Sequence, residues 1–195
     1  MKYKKVMIMF RGALLILIAM LCLHPASLMA QQQNSETKAE RKERQKSEQN
    51  QHYLEARQAI LDSAFVVRAE SLQFRDGVMY LPVQSSINFL KVEGKMATMQ
   101  VSSDFLRTAS PNNLGGITLK GFLANVKINE STKKQQLFMT FTLQGAIGTA
   151  RISITLNGND MAVIDVDGVF SGRAFIMRGP VKLPQEVPVY EGAEF

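Results

Sequence analysis

The chain changes its hydrophobic rhythm twice. Residues 12–23 are apolar without a break, and residues 31–51 then contain hardly an apolar side chain. Past that tract Tyr53, Ala56, Ile60 and Ala64 recur at intervals of three to four, with Leu54 and Leu61 widening the stripe. That period predicts an amphipathic helix over residues 47–63. From residue 64 the period drops to two. Phe65, Val67 and Ala69 alternate with Val66, Arg68 and Glu70, and Ala97, Met99 and Val101 with Met96, Thr98 and Gln100. The clearest cases are Leu137, Met139, Phe141 and Leu143, and then Ala150, Ile152, Ile154 and Leu156, each set separated by polar or hydroxyl-bearing residues. Such alternation describes strands with one apolar face. Asp76-Gly77, Glu93-Gly94-Lys95, Glu130-Ser131-Thr132-Lys133, Asn157-Gly158-Asn159-Asp160 and Asp167-Gly168 punctuate them with the residues that tight turns require. The prediction is a mainly β domain over residues 64–192, an antiparallel β-sandwich or a barrel-like sheet, with an N-terminal helix.

One strand breaks the alternation. Between Ile117 and Ile128 the apolar set is odd-numbered before Gly121 and even-numbered after it, as Phe122, Ala124, Val126 and Ile128. A strand changes faces only by admitting an extra residue, so a bulge or sharp bend is expected at Gly121, unless two separate strands meet there.

The N-terminus has the order of a cleavable export signal. Lys2, Lys4, Lys5 and Arg11 precede the apolar run, His24-Pro25 closes it, and Ala26-Ser27-Leu28-Met29-Ala30 leads into Gln31-Gln32-Gln33. Residues 1–30 are therefore expected to be a signal peptide, cut between Ala30 and Gln31. A retained anchor would need about 20 apolar residues, more than this run supplies, so no stable membrane anchor is expected after cleavage. Cys22 is preceded by Leu21 rather than a small residue and lies within the apolar run, unlike a lipoprotein cysteine. The expected destination is periplasmic or extracellular. Residues 31–46 form a polar leader, disordered or a solvated helix, in which Thr37-Lys38-Ala39-Glu40 has the spacing of a capping box.

Export alters the charge picture. The chain holds 23 Lys and Arg against 17 Asp and Glu, but four of the cations and none of the anions lie in residues 1–30, leaving 19 against 17. No basic cluster remains to recommend a nucleic-acid partner. The mature part has no cysteine, so its fold rests on an apolar core rather than on disulfides.

Candidate chemistry is sparse. His52 is the one histidine beyond the signal and falls in the helical leader, which removes most routes to a Ser-His-Asp triad or a His/Cys metal site. Asp165-Val166-Asp167-Gly168 resembles part of a calcium loop but lacks its third acidic ligand and distal glutamate. No catalytic residue, metal or cofactor is assigned. Pro111-Asn112-Asn113-Leu114-Gly115-Gly116 is the most distinctive loop, a tight connection whose glycines could also expose backbone N–H groups to a ligand. If the domain binds through a loop, Arg107, Asn112, Asn113, Gly115 and Gly116 are the expected residues.

Ser86-Ile87-Asn88-Phe89, the hairpin Lys91-Val92-Glu93-Gly94-Lys95-Met96-Ala97 and the run from Asn112 to Gly121 occur in this order. Together they resemble a family of exported proteins from Bacteroidota, catalogued as domain of unknown function 4251, over roughly residues 50–192. The resemblance implies an envelope location and brings no catalytic residues with it. Three functional classes follow. The first is a non-enzymatic envelope domain that binds a ligand or protein through this loop or through an apolar cavity between strands. The second is a purely structural envelope protein, and the third is a hydrolase using Asp165, Asp167 or Glu70.

Overall fold

The computed structural model describes residues 37–74, 80–102, 116–168 and 174–192. The expected signal and its Ala30–Gln31 junction lie outside this set, as do Arg107, Asn112, Asn113 and Gly115.

Helix α1 spans Lys38–Leu61, starting nine residues ahead of the expected position. Its first turn is closed by the capping box. The Thr37 N–H donates to Glu40 Oε2 at 2.7 Å, and the Glu40 N–H donates to Thr37 Oγ1 at 3.2 Å. With two orphan donors satisfied, a run of Lys, Glu, Arg and Gln, all good helix formers, is helical with nothing to bury. Further along, Tyr53, Ala56, Ala59 and Ile60 are buried. Leu54, expected in that stripe, is instead 45% exposed, because Ala59 completes the docked face. The Asp62 and Ser63 N–H groups donate to Gln58 O and Ile60 O, and Ser63 turns the chain at φ 52° into the first strand.

The strands are β1 (Ala64–Arg68), β2 (Ser71–Phe74), β3 (Leu81–Pro82), β4 (Phe89–Glu93), β5 (Met96–Ser102), β6 (Gly116–Ser131), β7 (Gln136–Gly145), β8 (Gly148–Asn157), β9 (Met161–Asp167) and β10 (Phe175–Lys182). Every pairing is antiparallel. The order β1-β4-β5-β6-β7-β8-β9-β10 closes on itself through Val66↔Lys182 and Val67↔Val181, which makes an eight-stranded barrel. β2 prolongs β1 along β10, pairing Ser71 with Arg178 after a one-residue shift of register, and β3 pairs on its far edge.

Eight strands enclose a lumen just wide enough for side chains to fill. Phe65, Leu90, Met99, Leu119, Met139, Phe141, Ile152, Ile154, Ile164 and Met177 occupy it, each 2% exposed or less. The predicted alternation holds strictly in β7 and β8, where Leu137, Met139, Phe141, Leu143, Ala150, Ile152, Ile154 and Leu156 are buried. It fails in β1, β4 and β5. There Val66, Phe89, Thr98 and Gln100 are buried on the outer face as well. Over β4 and β5 a polar strap, residues 190–192, covers that face: the Tyr190 N–H donates to Ser86 O, Gln100 holds both Tyr190 O and the Gly192 N–H, and Lys91 pairs with Glu191.

The face change in β6 is present but displaced. Register with β7 is unbroken from Gly121↔Gly145 to Ala124↔Thr142, then shifts so that Lys127 faces Thr140. Asn125 and Val126 thus stand opposite Phe141 alone, and Asn125 takes φ 54°. Gly121 serves another purpose: a Cβ there would lie 1.9 Å from Gln144 O, so the residue permits close approach of β7.

Candidate functional site

The second half of α1 crosses the barrel beside β1 and the end of β10, leaving a groove of about 530 Å³. His52, Glu55, Ala56 and Ala59 line it from one face of the helix, and Asp62 from the turn that follows. Ala64, Val181, Lys182, Leu183 and Glu186 line it from the barrel. The floor is apolar and short-chained, and the rim is charged.

The helix is held in place from its other side. Arg57 donates to both carboxylate oxygens of Glu130, at 2.6 and 2.9 Å, and Gln135 reaches Asn50. The Arg57 guanidinium holds the Glu130 carboxyl below its ordinary range. Tyr53 is buried beside this pair, and burial pushes its phenol up.

Within the groove the charges are uneven. Lys182 Nζ is 2.9 Å from Asp160 Oδ2, so its charge is matched. His52 Nδ1 stands 3.9 Å from the same oxygen, beyond hydrogen-bonding distance. The three carboxylates on the lining are met by neutral donors: Gln51 for Glu55, Gln58 for Asp62, and the Leu183 N–H for Glu186. None has a cationic partner among the described residues. The last turn of α1 carries no basic residue, so the partial negative charge of the helix C-terminus adds to the same field.

Of the residues expected to bind through the glycine-rich loop, Gly116 alone is described. It opens β6 opposite Ser102, and a Cβ there would lie 1.9 Å from Val101 O, so strand packing requires glycine. Asp165 faces outward on β9 between Ser153 and Ile176, and Asp167 sits opposite Arg151, while Glu70 lies at the join of β1 and β2. None of the three lines the groove. Among the described residues no three of His, Cys, Asp and Glu converge to hold a metal ion, and no helix is long and apolar enough to cross a membrane.

These features define a closed antiparallel barrel with a docked N-terminal helix and a charged groove between them. Residues 47–181 match the family model described as domain of unknown function (DUF4251), and the chain belongs to that family. It is similar to the crystal structure of a DUF4251 family protein from Bacteroides eggerthii. Identity there is 25% and the TM-score 0.62, over 73% of this chain and 94% of that one. No curated protein matches the chain.

Proposed function

We propose that this protein is an exported, non-enzymatic binding domain of the cell envelope. Its ligand is a small molecule with an ammonium group on a short apolar body, and the helix–barrel groove receives it. The observation that carries the reading is the trio Glu55, Asp62 and Glu186, carboxylates without cationic partners around a floor of Ala56, Ala59, Val181 and Leu183. Such a rim favours a cation, and such a floor favours apolar surface removed from water. The groove volume falls within the span of about 300–1,000 Å³ usual for small-molecule sites. The barrel lumen is a poorer candidate, because its own side chains occupy it. Export is supported by the basic, apolar and small-residue succession of residues 1–30.

Calorimetry with hexylamine, hexanol and hexanoate tests the binding reading. Hexylamine should bind at least about tenfold more tightly than hexanol, and hexanoate should not bind, since the sign of charge decides. Glu55→Gln with Asp62→Asn should remove the preference for the amine. Equal binding of all three probes, or of none, would overturn the assignment. N-terminal sequencing of the secreted protein should read Gln-Gln-Gln-Asn, and retention of residues 1–30 would overturn the export part alone.

A further inference from the structure

The bulge in β6 builds a second concavity, on the outer wall of the barrel and remote from the groove in sequence and in lining. It measures about 270 Å³ and is lined by Asn125, Lys127, Thr140, Phe141, Thr142 and Arg151. The register explains why these residues meet. Lys127 of β6 stands opposite Thr140 of β7, and Arg151 of β8 stands opposite Thr142, so the two cations flank a pair of threonines from either side. Two strand spacings, about 10 Å, separate the backbones that carry them, a gap two long side chains can close around one ligand. The extra residue at Asn125–Val126 breaks the row of side chains, opening the concavity and presenting the Asn125 amide to it.

None of these polar groups is used by the fold. Among the described residues, Lys127 and Arg151 have no ion-pair partner within 4 Å, although Asp167 stands opposite Arg151 on β9, and the side chains of Asn125, Thr140 and Thr142 make no hydrogen bond. Five unengaged polar side chains, two of them cationic and the others able to donate, match a tetrahedral phosphate oxyanion, monoester or diester, better than a carboxylate. Two exposed aromatic rings bracket the site. Phe138 lies one outward position from Thr140 along β7, and Phe122 lies one row beyond Ala124↔Thr142. They are 42% and 64% exposed, with no core to enter.

We infer that this concavity is a phosphate site for a ligand whose phosphate group carries an apolar chain. Lys127, Arg151 and the threonine pair hold the phosphate, and the chain leaves it toward Phe138 on one side or Phe122 on the other. The chemistry is that of a phosphate monoester or of a phospholipid headgroup, two sources that experiment separates.

The purified protein is titrated with inorganic phosphate, with hexyl phosphate, and with vesicles of phosphatidylglycerol or phosphatidylcholine. Hexyl phosphate should bind at least about tenfold more tightly than inorganic phosphate, and weaken as salt rises from low to physiological strength. Lys127→Gln with Arg151→Gln should weaken both by about tenfold or more, with the melting temperature unchanged because both residues are exposed. Phe122→Ser with Phe138→Ser should erase only the advantage of hexyl phosphate. Co-sedimentation with phosphatidylglycerol vesicles, lost in the Lys127/Arg151 variant, identifies a lipid headgroup. Hexyl phosphate binding without co-sedimentation identifies a soluble ester. Failure to bind hexyl phosphate, or equal affinity in the Lys127/Arg151 variant, overturns the site.

Discussion

Gln100 ties the Ile87 segment, β6 and the strap together through one buried amide. It sits on the outer face of β5, fully buried, and its amide makes four hydrogen bonds. Nε2 donates to Ile87 O at 3.0 Å and Tyr190 O at 2.8 Å, while Oε1 accepts from Thr118 Oγ1 at 2.9 Å and the Gly192 N–H at 2.7 Å. Gln100→Leu keeps the approximate volume and removes all four. At about 1 kcal/mol net for each bond the total is about 4 kcal/mol. Tyr190 and Gly192 belong to the strap and recover water once it lifts, so the expected loss is about 2–4 kcal/mol. The corresponding fall in melting temperature is roughly 5–15 °C. The lifting stays local to the Gln100 contacts, because Lys91 pairs with Glu191 and the Tyr190 N–H still reaches Ser86 O. Hydrogen exchange should therefore show the Gly192 amide losing protection while amides in β7 and β8 keep theirs relative to the global stability. Urea unfolding supplies the free energy. A loss below about 0.5 kcal/mol with Gly192 still protected would refute the argument, since four buried bonds cannot all be worth nothing.

Three further outcomes are expected. The Tyr53 hydroxyl is buried without a hydrogen-bond partner, so Tyr53→Phe should be neutral or stabilising by up to about 1 kcal/mol in urea unfolding, whereas Tyr53→Ala should cost about 3–5 kcal/mol. Arg57 depresses the Glu130 carboxyl in the folded state, so this pair supports the fold above the ordinary carboxylate value of 4.5 and ceases to do so as pH falls through the lower folded value. Arg57→Met should accordingly flatten the acid limb of stability measured between pH 6 and pH 3; an unchanged slope would count against the pair. Removing residues 31–44 should leave thermal unfolding unchanged, since the described part of that tract is wholly exposed, while removal through Leu61 should lower it by uncovering the surface beneath Tyr53, Ala56, Ala59 and Ile60.

The parts of the fold legible from the chain are those where one face meets the lumen and the other meets water. β7 and β8 satisfy that condition over their whole length, and their alternation reads directly. β1, β4 and β5 do not: their outer faces are buried too, those of β4 and β5 beneath the strap. Val66 and Phe89 are apolar on the side that alternation assigns to solvent, and Thr98 and Gln100 are polar yet buried. The parity change in β6 was visible as a pattern, but its position was not. Glycine marks bulges and close backbone approaches alike, and Gly121 is the second kind. The cue for the true position is Asn125, a residue type that tolerates the left-handed conformation found there.

Neither site was legible, and the reason is long-range placement rather than unusual residues. Glu55 on a polar helix and Asp62 in the turn that follows it read as a solvated face until Val181 and Leu183, more than a hundred residues later, supply a floor beneath them. Lys127 and Arg151 are ordinary outward residues of two strands, and only the register through β7 brings them to a common pair of threonines. Net charge hides both sites equally well. A balance of 19 cations against 17 anions beyond residue 30 suggests an even surface, yet three carboxylates gather along the groove, and at the bulge two cations that have no ion-pair partner among the described residues. Summed charge constrains long-range steering; recognition depends on where the barrel's register and the docked helix put the charges.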